Sequence, residues 1–365
     1  MTDNKTKFKP QFAIPPGETV LETIEAIGMS QAELAARTGR PLKTINEIIK
    51  GKTAITPETA LQFERVLGVS ATFWNNLETN YREALATIEE RNRLEKQVEW
   101  LRYFPLKKLY QLGAINKSAD PVEGLTAVLN FFGVSSPDAW EKLWLSPEVA
   151  FRKSPVYQSS PYTIATWMRL GEIAAQKIKC QPYDKEKFKQ AIVTIRELTI
   201  EDTNVWYSEV IRLCAEGGVA VIFVPELPKT HVSGVTRWLS DKKALIQLSL
   251  RHKTNDHLWF TFFHEAAHIL LHGKKDVFIE GAVFDSEKEE EANRFSREFL
   301  IPPQKFREFL KSTSRFSQEA ILLFAKSINV APGIVVGRLQ HDSFVPRSHF
   351  NKLKQYYKFE WITDK

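Results

Sequence analysis

The pentapeptide His264-Glu265-Ala266-Ala267-His268 constrains this 365-residue chain more than any other feature, because it sits inside an otherwise apolar run, DHLWFTFFHEAAHILLHG at residues 256–273. On a helix of about 3.6 residues per turn the two imidazoles project from one face and can bind a single ion, with Glu265 beside them. Leu258–Leu271 falls short of the roughly 20 apolar residues a membrane span requires and contains His264, Glu265 and His268, so no transmembrane helix is expected. The only two cysteines, Cys180 and Cys214, are too few for a disulfide framework and too isolated for a Cys-rich zinc site. A metal in this chain must use histidine and carboxylate.

Zinc accepts neutral imidazole, and three protein ligands leave a fourth position for a water whose pKa falls to about 7. Glu265 can take that water's proton and later deliver it to a leaving amine. The third ligand must come from another segment, and glutamate on a later helix is the gluzincin solution. The stretch SEKEEEANRFSREFLIPP, residues 286–303, reads as an acidic helix turning apolar and offers Glu287, Glu289, Glu290 and Glu291. Glu289 is preferred, because Asn293 lies one turn later on the same face and can hydrogen-bond a ligating histidine. Glu291, which shares a face with Phe295, is the alternative. His272 lies four residues past His268 and so also on the metal face, but three helical histidines do not easily reach one ion, and it reads as a structural or rim residue.

Three β-rich runs precede this helix, GGVAVIFVPEL from Gly217, SGVTRWL from Ser233 and KALIQLSL from Lys243, and they predict a small sheet. His231 and Arg237, placed on these strands, are candidates to stabilise an oxyanion. Residues 105–215 read as helical, with Trp140, Trp144, Trp167 and Trp206 filling a helical core and no legible chemistry. Residues 76–104 carry Tyr81, Leu85, Ile88, Val98 and Leu101 on one stripe and are expected to form a helix that links two domains and packs against the second. FSQEAILLFAKSINVAPGIVVGRLQ, residues 316–340, reads as two short helices around a turn. The basic, aromatic stretch Phe344–Lys365 has no account from sequence.

At the other end, residues 17–80 read as short capped helices. Ser30-Gln31-Ala32-Glu33 is a capping-box pattern, Gly39 ends that helix, Pro41 begins the next and Gly51 closes it, and Thr56-Pro57-Glu58 opens another that Gly68 ends. Leu34, Ala35, Leu42, Ile45, Ile48, Ile49, Leu61, Phe63 and Leu67 recur at helical spacing and are expected to share a small core. Two helices joined by a tight glycine turn form a helix-turn-helix, with Leu42–Lys50 as the second helix. In that geometry Lys43, Thr44 and Glu47 face base edges, and Gln31, Asn46, Lys50 and Lys52 are phosphate contacts. Glu47 is the awkward member, since a carboxylate near phosphates is repulsive unless it accepts from a cytosine amino group. The local charge agrees with this surface: residues 31–52 hold Arg37, Arg40, Lys43, Lys50 and Lys52 against Glu33 and Glu47, within a chain of net charge +6.

The block PPGETVLETIEAIGMSQAELAARTG...INEIIKGKTAITPETALQFERVLGVSATFWNNLE resembles the XRE-type helix-turn-helix of HigA-like antitoxins over about 60 residues. That resemblance implies a five-helix DNA-binding module, usually dimeric on a palindromic operator, and carries Gln31, Lys43, Thr44 and Glu47 over as DNA-facing positions. The segments SGVTRWL...ALIQLSLR...WFTFFHEAAHILLHG...EEEANRFSREFLIPP resemble the ImmA/IrrE family of metallopeptidases over about 217–340. Ala266-Ala267, Ser296 and Ile301 depart from the family's usual residues without removing a ligand. This second resemblance implies a zinc-dependent endopeptidase that cleaves a transcriptional repressor, often an XRE protein.

The expected architecture is therefore mainly α with a small β-sheet: a helix-turn-helix domain at 1–75, a helical linker and middle region at 76–215, a gluzincin-like metallopeptidase domain at 216–345 and a tail at 346–365. The expected cofactor is one Zn2+ per chain. The expected partners are a double-stranded operator and a protein substrate, a repressor such as an XRE-type one, another partner protein or the chain itself, cleaved in a stress or mobile-element/toxin-antitoxin response. A cognate toxin is the expected partner if the peptidase-like domain is a non-catalytic sensing or dimerisation part of an antitoxin. No membrane is expected; a homodimer is, and with no apolar segment behind the N-terminal lysines the expected compartment is the cytoplasm.

Overall fold

The computed structural model describes residues 12–145, 160–249, 254–273, 278–279, 286–313 and 315–357. The chain forms two compact units, residues 1–99 and 100–365. Among the described residues no single helix is long and apolar enough to cross a membrane.

In the first unit the punctuation read from sequence sets the helices α1 Pro16–Ala26, α2 Gln31–Thr38, α3 Leu42–Ile49, α4 Pro57–Leu67 and α5 Ala71–Glu95. Ser30 Oγ accepts from Glu33 N at 3.1 Å, and Gly39 and Gly68 close α2 and α4 at φ 70° and 76°, the left-handed conformation that glycine adopts without a Cβ penalty. Only half of the capping box forms, because Arg37 takes the Glu33 carboxylate at 2.6 Å. Val20, Ile24, Leu34, Ile45, Ile48, Phe63 and Trp74 make the core. Leu42 and Leu61, expected inside, are 45% and 48% exposed; α4 turns Ala60 and Phe63 inward instead. Gly17 lets α1 lie directly on the backbone of α3, where a Cβ would come within 2.2 Å of the Ile48 carbonyl.

The long helix α5 differs from expectation. Its beginning packs into the first unit: Trp74 is fully buried there, and the buried Glu78 carboxylate accepts from Ile55 N at 3.1 Å and from Arg82 at 2.7 Å. The expected boundary at 75/76 therefore falls inside a helix that belongs to the N-terminal unit.

The second unit begins with α6 Leu106–Gln111, α7 Pro121–Phe132, α8 Pro137–Trp144 and α9 Pro161–Lys177, where Trp100, Phe104, Phe132, Trp140 and Tyr162 pack edge-on and stacked. Next come α10 Lys185–Glu197, α11 Thr203–Glu216, β1 Val219–Phe223, β2 Gly234–Ser240, β3 Lys243–Leu248, α12 Asn255–Leu271, β4 Phe278–Ile279, α13 Ser286–Leu300, α14 Pro303–Ser312, α15 Gln318–Ser327 and α16 Pro332–His341. The sheet order is β1-β3-β2-β4, with β1 and β3 parallel and β2 antiparallel to both β3 and β4. All five residues of β1 are buried, as befits a continuous apolar strand covered on both faces.

Phe188, Ile192 and Ile195 of α10 and Trp206 and Val210 of α11 share one core with the sheet and α12. The expected division at 215/216 thus lies within a single compact body. The Arg196 guanidinium donates to the carbonyls of Phe299, Leu300 and Ile328 at 2.8–2.9 Å, satisfying the open C-terminal ends of α13 and α15.

Candidate metal centre

Helix α12 buries 14 of its 17 residues, so its polar side chains are enclosed by structure rather than lining a solvent face. His264, Glu265 and His268 are 2%, 0% and 1% exposed. His264 Nε2 lies 3.0 Å from His268 Nε2, and the Glu289 carboxylate of α13 approaches them at 3.4 Å each, Oε2 to His264 and Oε1 to His268. One ligand atom from each residue lies within 4.8 Å of the others.

The electrostatics of this cluster suit a cation. Burial pushes the His268 pKa down to about 4, and His264 and His272 push the same way against the opposing Glu289. For Glu289 burial acts upward, but hydrogen bonds and charge from His264 and His268 outweigh it and hold the carboxyl at about 2. At neutral pH the trio therefore presents a neutral imidazole at His268 and an ionised carboxylate, donors that a zinc site with an open position requires.

Neighbouring residues hold the trio in place. Asn293 Oδ1 accepts from His264 Nδ1 at 3.0 Å, which leaves Nε2 bare toward the cluster. Ala292 is fully buried on the same face of α13, and Ser296 donates its hydroxyl to the Phe260 carbonyl at 2.8 Å. Glu291 does not join the trio; its carboxylate lies 3.2 Å from His272 Nε2. His272 caps the end of α12 in extended backbone, and its ring folds back so that Nδ1 is 2.8 Å from His268 Nδ1.

Sequence reasoning missed the wall behind Glu265. Gly234 of β2 faces that carboxylate so closely that a Cβ would lie 2.5 Å from its Oε1, and Thr236 donates to the Glu265 carbonyl at 3.1 Å. A glycine within a strand pattern marks such close backbone approaches and was the available signal. Arg237, expected near the reaction centre, alternates to the other face of β2, where Glu172 of α9 holds it at 3.0 Å. His231 sits in the loop before β2 at φ 50°, not on a strand.

In the first unit, α3 exposes Lys43, while Thr44, Asn46 and Glu47 are half-buried; Gln31 is half-buried at the start of α2, and Lys50 and Lys52 are exposed. The Glu47 carboxylate lies 3.9 Å from Lys43 Nζ and accepts from the Thr53 hydroxyl at 3.3 Å, so its charge is shared inside the module.

Comparison with known proteins finds a family match in each of the two units. Residues 22–74 match the helix-turn-helix family and residues 216–340 match the IrrE N-terminal-like domain of peptidase family M78. An uncharacterized HTH-type transcriptional regulator of Escherichia coli (strain K12), YddM, is 31% identical over 75 residues, covering 20% of this chain and 78% of the relative. Virulence-associated protein I of Dichelobacter nodosus is 37% identical over 70 residues, 19% of this chain and 65% of that protein. A HigA-family addiction-module antidote protein from Coxiella burnetii is 30% identical, covers 23% of this chain and 92% of its own, and has a TM-score of 0.22. Pseudomonas aeruginosa antitoxin HigA, solved with the higBA promoter, is 29% identical, with 23% and 94% coverage and a TM-score of 0.22. The chain belongs to the XRE-type helix-turn-helix regulators through its N-terminal unit and carries an IrrE-like peptidase M78 domain in its C-terminal unit.

Proposed function

We propose that this chain is a DNA-binding transcription regulator whose C-terminal unit is a zinc-dependent endopeptidase acting on a protein partner, an XRE-type repressor or the chain itself. The observation that carries the reading is the convergence of His264 Nε2, His268 Nε2 and the Glu289 carboxylate beside a buried Glu265. A zinc ion would be held by His264, His268 and Glu289, and would supply Lewis acidity toward a peptide carbonyl and lower the pKa of a water to about 7. Glu265 accepts a proton from the attacking water at its carboxylate and delivers it to the leaving amine. Gly234 makes room for that carboxylate, and Thr236 holds the Glu265 main-chain carbonyl.

The N-terminal unit supports operator binding. Lys43 and Thr44 at the start of α3 address base edges, with Gln31, Asn46, Lys50 and Lys52 on phosphates. Pairing with Lys43 and Thr53 reduces the repulsion that Glu47 would otherwise exert there. A homodimer on a palindromic operator in the cytoplasm completes the reading.

Elemental analysis of wild type beside Glu289→Ala tests the site: about one zinc per chain in wild type and none in the variant is expected. Glu265→Gln should retain zinc and operator binding while abolishing cleavage. Wild type without metal after zinc is supplied would leave a DNA-binding regulator with a non-catalytic peptidase fold.

A further inference from the structure

We propose that Glu291 and His272 form a relay that fixes His268 in the tautomer and orientation a metal ligand needs. The inference rests on His264, His268 and Glu289 being the ligand set. His268 turns Nε2 toward the cluster, 3.0 Å from His264 Nε2 and 3.4 Å from Glu289. To ligate through Nε2 it must carry its proton on Nδ1.

That Nδ1 lies 2.8 Å from His272 Nδ1, and two ring nitrogens with no ion between them face each other favourably only when one holds the proton, unlike the His264 and His268 Nε2 atoms, which a shared cation would separate. Glu291 decides which. Its Oε2 stands 3.2 Å from His272 Nε2, so the proton of His272 belongs on Nε2, donating to the carboxylate. His272 Nδ1 is then bare and accepts from His268 Nδ1–H. The opposite arrangement turns a bare His272 nitrogen toward a carboxylate and places the His268 proton on Nε2, where it blocks ligation. The ring of His272 is held for this role: its side chain is 3% exposed, and its backbone N donates to the His268 carbonyl at 3.1 Å. The relay does for His268 what Asn293 does for His264.

Glu291 is a positioning residue acting through His272, which distinguishes it from a residue that merely stabilises α13. The test is Zn2+ affinity by chelator competition on the full chain, for wild type, His272→Leu, Glu291→Leu, Glu291→Gln and the double variant His272→Leu/Glu291→Leu. His272→Leu and Glu291→Leu should each weaken binding about 10–100-fold. Glu291→Gln keeps an acceptor oxygen and should bind within a few-fold of wild type. The double variant should be no weaker than His272→Leu alone, because the second loss acts through a ring already gone. Metal-free melting curves of the variants should overlay that of wild type; if His272→Leu does not fold, the half-exposed Glu291 pair still decides. Tight binding by Glu291→Leu, or additive losses in the double variant, overturns the relay alone. Wild type that takes up no Zn2+ overturns the metal reading itself.

Discussion

Replacing Lys354 by methionine should destabilise the C-terminal unit by about 3 kcal/mol, through the start of the helix that carries the metal centre. Lys354 Nζ lies 2.6 Å from Asp256 Oδ2 with both side chains under 10% exposed, and it also donates to Gln340 Oε1 at 2.8 Å. Asp256 Oδ1 has no hydrogen-bond partner among the described residues. Methionine keeps the volume and removes the charge, leaving a buried carboxylate; breaking one side of such a pair costs about 3–5 kcal/mol. Asp256 stands in the first turn of α12, where the helix dipole returns up to about 1 kcal/mol, which sets the expectation at the lower end. At roughly 2–4 °C per kcal/mol for a unit of this size, the melting transition should fall by about 6–12 °C.

The companion variant Asp256→Asn/Lys354→Met removes both charges and should recover most of that loss. The assay is thermal and urea unfolding of the full chain, following the transition of residues 100–365. A shift below about 2 °C for Lys354→Met, or a double variant no more stable than the single, would refute the claim that this ion pair pins α12. Zinc affinity should be unchanged in both, since His264 begins two turns beyond Asp256.

Gly234→Ala should leave zinc binding intact but cut peptidase activity about 100-fold, because a Cβ 2.5 Å from Glu265 Oε1 displaces that carboxylate by about 1 Å; unaltered activity on a substrate that wild type cleaves would remove the wall from the mechanism. Metal-free protein should lose stability on acidification. His268 has a pKa near 4 against an ordinary 6.5, so the unfolded chain binds the extra proton between these values and stability falls by up to about 3 kcal/mol from pH 6.5 to 4, with Glu289 adding a loss of the same sign below 4.5. A melting temperature of chelated protein that stays flat over this range contradicts the buried neutral imidazole. Lys52→Ala should weaken binding evenly across operator sequences and reduce the salt slope by about 1, measured by fluorescence anisotropy; sequence-selective loss would move Lys52 from phosphate to base.

The parts of this molecule that sequence made legible are those governed by local rules. Ser30, Gly39, Thr56 and Gly68 delimit α2 and α4 because caps and left-handed turns act within a few residues. His264 and His268 share a face because helical periodicity alone places them there. What sequence concealed depends on distant contacts. Asn255 N donates to the Gln355 carbonyl at 2.9 Å, Thr254 bridges Tyr356, and Tyr357 packs on Trp206, so the tail that had no account from composition seats the first turn of α12. Gly333 and Gly337 of α16 admit Asn255 and Asp256, where Cβ atoms would come within 2.2 Å and 2.7 Å. Nothing within Phe344–Lys365 announces a receptor about 100 residues upstream.

The acidic run of α13 shows how a pattern with a bland meaning acquires several roles once a neighbouring helix is present. Consecutive helical residues diverge by about 100°, so Glu289, Glu290 and Glu291 cannot serve one surface. Glu289 turns to His264 and His268, Glu290 turns outward to Arg297 at 2.7 Å, and Glu291 turns to His272 past the end of α12. The buried positions Ala292, Ser296 and Leu300, with Glu289 and Asn293 on the same face, fix that rotation, because small residues at 292 and 296 let α13 approach α12 in only one phase. Packing therefore chooses the third ligand candidate. A run of carboxylates gives every phase a donor, and Ala292 and Ser296 decide which donor faces the histidines.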